Sequence, residues 1–290
     1  MGYRVIDMGK ALVIDVAKCT GCYCCQIACK DEHVGNDWSP YAKPQPDTGH
    51  FWLKINEIER GTTPKVKVTY IPYLCMHCDN PPCIQACPIR AIIKRPDGVV
   101  LINPDKCDGC RSLESGLKCI KACPYNVIFY NEQLKIAQKC TLCAHILDGV
   151  DPLVKVPRCV EVCPHNAIIF GEYSELKGLI EKAEVLKPEA NTQPRVYYLN
   201  LPKPFIAGEV YDPELDEVIE GAKVTATDLT SRKTYYTETD EFGDFWLQNL
   251  EKDHTYKLTV EKDGYITWTL DEIKVEKDVN LGEITLLKKK

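Results

Sequence analysis

Cysteine is the residue that could do chemistry here, because its thiolate binds soft metals, and in this chain its spacing is regular. All 17 cysteines lie between Cys19 and Cys163 of a 290-residue chain. The first set reads Cys19-x2-Cys22-x2-Cys25-x3-Cys29, and the second Cys75-x2-Cys78-x4-Cys83-x3-Cys87. The third is Cys107-x2-Cys110-x8-Cys119-x3-Cys123, and the fourth Cys140-x2-Cys143-x15-Cys159-x3-Cys163. Four sets of four leave Cys24 over, a spare thiol rather than a ligand.

The frame C-x2-C, a gap, then C-x3-C suits a 4Fe-4S cubane, which takes one thiolate per iron. A short loop wraps three corners, while the cysteine on the helix that follows points away and serves a neighbouring cluster. Complete motifs therefore come in even numbers. Structural zinc on paired C-x2-C knuckles is the main rival. Zinc does not call for the proline that follows Cys87, Cys123 and Cys163. A disulfide scaffold suits short secreted chains, whereas the last 127 residues here contain no cysteine. Clusters with every iron held by thiolate leave no open position for substrate. The expected chemistry is single-electron transfer, with no catalytic residue in this chain.

Repeated elements must position these cysteines. ValIleAspValAlaLysCysThrGlyCys (13 to 22) aligns without a gap to LeuIleAsnProAspLysCysAspGlyCys (101 to 110). After the closing cysteines come ProIleArgAlaIle, ProTyrAsnValIle and ProHisAsnAlaIle. Each is a proline that ends a helix, followed by the start of a strand. The unit is strand, cysteine loop, helix, strand. Gly21 and Gly109 sit inside the loops, where a backbone without Cβ can approach closely. His77, His145 and His165 could hydrogen-bond toward a cluster, or simply pack or meet solvent. Lys18, Lys106, Lys139 and Arg158 directly precede cluster cysteines. A cation there would stabilise a reduced cluster, and a plain surface role is the alternative.

Other features exclude function classes. No apolar run is long enough to span a membrane, and residues 1 to 18 lack the pattern of a secretory signal. The initial Met-Gly is no acylation site, because position 6 is Ile rather than Ser or Thr. Net charge is -6, divided as +3 up to residue 203 and -9 beyond it, so neither half is a nucleic-acid surface. The lysines at 288 to 290 read as a solvated tail. No flavin, nicotinamide, nucleotide or haem fingerprint appears, so electrons must enter and leave through other proteins.

The order CTGCYCCQIAC, CMHCDNPPCIQACP, CDGCRSLESGLKCIKACP and QKCTLCAHILDGVDPLVKVPRCVEVCP resembles the iron-sulfur subunits of molybdopterin oxidoreductases of the dimethyl sulfoxide reductase family. The likeness covers about residues 11 to 170. It implies that motif one pairs with motif four, and two with three. Cluster 1 would then take Cys19, Cys22, Cys25 and Cys163, and cluster 2 Cys140, Cys143, Cys159 and Cys29. Cluster 3 would take Cys75, Cys78, Cys83 and Cys123, and cluster 4 Cys107, Cys110, Cys119 and Cys87. AspGluHis (31 to 33), Trp38, GlyHis-x-Trp (49 to 52) and ProArgValTyrTyr (194 to 198) resemble the transhydroxylase branch. The implied partner is a large catalytic subunit carrying molybdopterin with molybdenum or tungsten, acting on a phenolic or other small organic substrate. A further electron donor or acceptor protein is compatible with this. Transhydroxylation is redox-neutral overall, so four intact motifs keep a net oxidoreductase equally in view. A free-standing polyferredoxin carrier is the alternative function. The expected compartment is the cytoplasm, or the periplasmic face if the chain is exported with a twin-arginine partner.

The expected fold is α+β: tandem, nested ferredoxin modules over residues 1 to 187, with an insertion at 30 to 74. A proline-marked linker follows at 188 to 204. Seven short alternating runs between 205 and 290 predict a small all-β sandwich. It resembles the prealbumin-like domains of the carboxypeptidase regulatory and collagen-adhesin type. Trp246 and Trp268 are expected in its core.

Overall fold

The computed structural model describes residues 8 to 111, 117 to 150 and 153 to 289. Residues 1 to 7, which hold the segment read for an acylation signal and the first part of that read for a leader, lie outside them. So do residues 112 to 116 and 151 to 152, in the gaps of motifs three and four, and the last lysine of the tail. The chain divides into two units, residues 1 to 57 with 70 to 201, and residues 58 to 69 with 202 to 290.

The first unit begins with β1 (Lys10–Asp15), then α1 (Cys24–His33); a ribbon of β2 (Leu53–Thr62) and β3 (Lys65–Leu74) follows, of which residues 58 to 69 belong to the second unit. Next come α2 (Pro82–Ala86), β4 (Ile92–Lys94), β5 (Val100–Ile102) and α3 (Lys118–Ala122). They are followed by β6 (Phe129–Asn131), β7 (Ile136–Gln138), α4 (Ala144–Leu147) and α5 (Arg158–Glu161). β8 (Ile168–Glu172), α6 (Tyr173–Ile180) and β9 (Val196–Leu199) complete it. Strands predominate, and apart from α1 and α6 the helices are single turns.

Three small sheets carry the cysteine loops. β1 is central in the largest, antiparallel to β8, with Leu12 opposite Phe170, and parallel to β9, with Leu12 opposite Val196. β4 pairs with β5, and β6 with β7. Every second residue of a strand faces the same way. Leu12 and Ile14 accordingly join the cysteine-bearing core, while Ala11 and Val13 meet Leu176 and Ile180 of α6. That is why KALVID is apolar almost throughout. Helix α1 packs on α5, and α2 on α3, so the helices of motifs one and four meet, as do those of two and three.

The segment 188 to 204, expected as a linker, is largely built into this unit. Its prolines punctuate the chain, but Thr192, Arg195, Val196 and Tyr198 are buried and β9 is a sheet strand. Burial and pairing override the local proline signal.

In the second unit, β10 (Ile206–Asp212) pairs with β11 (Glu217–Val218), β14 (Asp244–Leu247) and β17 (Val279–Thr285). A second sheet has the order β13 (Thr234–Glu238), β12 (Lys223–Asp228), β15 (His254–Glu261), β16 (Trp268–Val275). The described strands number eight rather than seven, because the two-residue β11 is too short to show a pattern. Trp246 and Trp268 are half-buried, not core. In β14 the inward positions belong to Phe245 and Leu247, and Trp246 faces the other way, with its ring centroid 5.0 Å from that of Phe205. Residues 58 to 69 are held in this unit by Arg60, which reaches Asp278 at 3.2 Å, and by Lys65 on Asp244.

Candidate metal centres

The folding brings the cysteines together in fours. Cys19, Cys22, Cys25 and Cys163 surround a small cavity walled by Ile55, Pro72 and Ile168. Cys29, Cys140, Cys143 and Cys159 surround another against His33, Trp52 and Leu53. Cys75, Cys78, Cys83 and Cys123 surround a third, which Lys139 also lines. In the remaining set, Cys107, Cys110 and Cys87 lie close enough to Cys119 to perturb its thiol, as does Cys83 of the third set. Cys24 lines none of these three cavities and is exposed.

One backbone device recurs in all four loops. The residue before the second cysteine is left-handed each time: Gly21 (φ 70), His77 (φ 43), Gly109 (φ 66) and Leu142 (φ 55). That turn aims loop amides at sulfur. The Gly21 amide supports Cys19, and the Leu142 amide donates to Cys140 Sγ at 3.3 Å. Glycine is needed at two of the four positions for a further reason. A Cβ on Gly21 would lie 2.5 Å from the Tyr70 ring, and one on Gly109 would lie 2.4 Å from the Lys135 carbonyl oxygen.

A second device follows the closing cysteines. Arg90, Asn126 and Asn166 are left-handed, and each donates its amide to the carbonyl of the cysteine three residues back at 3.3 Å. The next amides, of Ala91 and Ala167, donate to Cys87 Sγ and Cys163 Sγ at 3.3 Å.

The donor chemistry calls for a metal cluster. Burial pushes the Cys25, Cys78 and Cys119 thiols up to about 12, and their neighbours' thiolates add to the shift. Cys29 and Cys159 are raised well above the ordinary thiol value, again chiefly by burial. Sulfurs buried in this way are poor thiolates until cationic metal compensates them. Among the described residues no three His, Cys, Asp or Glu side chains close on the position of a single ion.

The other sequence candidates separate. His77 is buried, accepts the Val100 amide on Nδ1 at 3.0 Å, and is held well below its ordinary pKa chiefly by burial. His145 stacks on Trp38 at 4.4 Å and meets Glu32 at 2.8 Å through Nε2. Arg158 joins the same Glu32 at 3.2 Å. Lys139 is buried, whereas Lys18, Lys106 and His165 are exposed. Asp79 and Lys94 carry no signal in the sequence because they belong to no cysteine spacing. Glu32 and His33 enter there only through the AspGluHis resemblance, although they lie three and four residues beyond Cys29 on the same helix.

Comparison with known proteins agrees with this chemistry. Residues 66 to 173 match the family model of the 4Fe-4S dicluster domain, and 206 to 286 that of the carboxypeptidase regulatory-like domain. The chain is 37% identical to the pyrogallol hydroxytransferase small subunit of Pelobacter acidigallici, over 95% of this chain and 98% of that one. It is 34% identical to a tetrathionate reductase subunit of Salmonella typhimurium, covering 68% of this chain and 74% of that one. It is 33% identical to the arsenate respiratory reductase iron-sulfur subunit of a Shewanella species, covering 66% and 96%.

Proposed function

The chain belongs to the iron-sulfur subunits of the molybdopterin oxidoreductases, and on that premise we propose that it holds four 4Fe-4S clusters in one file. It is an electron-transfer subunit, not a catalyst. When bound, such clusters accept and release single electrons. In this reading Cys19, Cys22, Cys25 and Cys163 hold cluster 1, and Cys29, Cys140, Cys143 and Cys159 hold cluster 2. Cys75, Cys78, Cys83 and Cys123 hold cluster 3, and Cys87, Cys107, Cys110 and Cys119 hold cluster 4.

The carrying observation is that each cavity gathers cysteines from distant motifs, Cys163 beside Cys19 and Cys123 beside Cys75. The order of the file is supported by shared elements. Helix α1 bears Cys25 and Cys29, Cys75 perturbs Cys140, and Cys83 and Cys87 flank one turn of α2. Exposure marks the ends: Cys22 is exposed and Cys19, Cys163, Cys87 and Cys107 are half-buried, while the cysteines of clusters 2 and 3 are all buried. Iron and acid-labile sulfide analysis tests the count, with about sixteen of each expected per chain. About eight would reduce the file to two clusters.

The partner in this reading is a large subunit carrying molybdopterin, with a phenolic or other small organic molecule as its substrate. Similarity to the hydroxytransferase small subunit along both units supports that partner. Similarity to a hydroxytransferase subunit suits redox-neutral hydroxyl transfer, whereas four quartets suit a net oxidation or reduction. A purified complex that turns over only with a stoichiometric electron acceptor or donor would agree. Turnover without either would point to hydroxyl transfer. The wealth of thiolates favours the cytoplasm, and no helix among the described residues is long and apolar enough to cross a membrane.

A further inference from the structure

One cation is set apart from the others near the quartets. Lys139 is 2% exposed, and its ammonium donates to the carbonyls of Val100 and, at 3.0 Å, Cys140. Among the described residues no carboxylate lies within ion-pair distance of it. Lys94 and Arg195, by contrast, share Asp79 at 2.9 and 2.5 Å, and Arg158 is paired with Glu32 and Glu161. Lys18 and Lys106 are in solvent.

Lys139 also stands where two quartets approach. It lines the cavity of Cys75, Cys78, Cys83 and Cys123, and it directly precedes Cys140 of the next quartet. A buried ammonium is unfavourable unless negative charge compensates it. A 4Fe-4S cluster held by four thiolates is net negative in both of its common oxidation states, and that net charge sets its potential.

We propose that Lys139 is the counter-charge shared by clusters 2 and 3, and that it raises the reduction potentials of both relative to clusters 1 and 4. This rests on the four-cluster reading above. Reduction adds one electron to a cluster and moves no proton, so the ammonium acts only by stabilising added negative charge. An electron passing between the two inner clusters stays beside the same cation.

The test is a redox titration of the cluster-loaded full chain, with dithionite as reductant, followed by electron paramagnetic resonance. Lys139→Met and Lys139→Gln are compared with Lys139→Arg and wild type. The neutral variants should keep their iron while two of four midpoint potentials become more negative, and Lys139→Arg should stay near wild type. Full iron with no shift, or with all four potentials shifted alike, overturns the proposal. If the neutral variants lose iron, the loss should be confined to two clusters and restored in Lys139→Arg. Loss in Lys139→Arg as well would make packing, not charge, the requirement and overturn it. Fewer than four clusters in wild type would instead overturn the underlying reading.

Discussion

Cys24 and Cys25 are neighbours with opposite surroundings. Cys25 is buried and faces the cavity with Cys19, Cys22 and Cys163, whereas Cys24 is exposed outside it. Cys24→Ala should therefore keep the full iron content. Cys25→Ala should lose about four irons per chain. Equal loss in both variants, measured as iron per chain, would assign the wrong cysteine to the cavity. At this scale the sequence was highly legible for sulfur, because one thiolate per iron dictates spacing. It was half legible for the loops. Gly21 and Gly109 advertise a left-handed turn, but His77 and Leu142 take the same conformation without any glycine to signal it. The geometry is imposed there by the loop as a whole, so residue type no longer reports it.

Asp212 at the end of β10 and Asp228 at the end of β12 are buried and serve as turn caps. Asp228 accepts the amides of Thr230 at 2.8 Å and Ser231 at 3.2 Å, and meets the Ser231 hydroxyl and His254 Nδ1 at 2.7 Å. Burial alone would raise its pKa, but these donors hold the carboxyl well below the usual range. A depressed carboxylate stabilises the fold above its unfolded value of about 4, and that contribution fades as pH falls through the lower folded value. Asp228→Asn should cost about 1–3 kcal/mol near neutral pH. The difference from wild type in the β-sandwich unfolding transition should shrink below about pH 4. A difference independent of pH would mean that the charge is irrelevant. The strands themselves were readable as alternating runs. β9 was not, because a short run among prolines looks like a linker until its partner β1 is known.

Across the whole molecule, cysteines occur only in residues 19 to 163, and the sandwich core from Ile206 to Leu286 is built without them. A chain ending at Leu201 should bind as much iron as the full chain; loss of iron would show that the cluster fold depends on the sandwich. The division into two units was legible from composition alone. The membership of residues 58 to 69 was not, because Arg60 and Lys65 find their partners Asp278 and Asp244 far away in sequence. Finally, the pairing of motif one with four, and of two with three, is nested like brackets. On a ribosome, the inner pair is fully synthesised once Cys123 emerges, while the outer pair waits for Cys159 and Cys163. In the four-cluster reading proposed above, synthesis sets a calendar for metal loading: clusters 3 and 4 would be filled first, and the last cysteine made would close the cluster whose other ligands were made first.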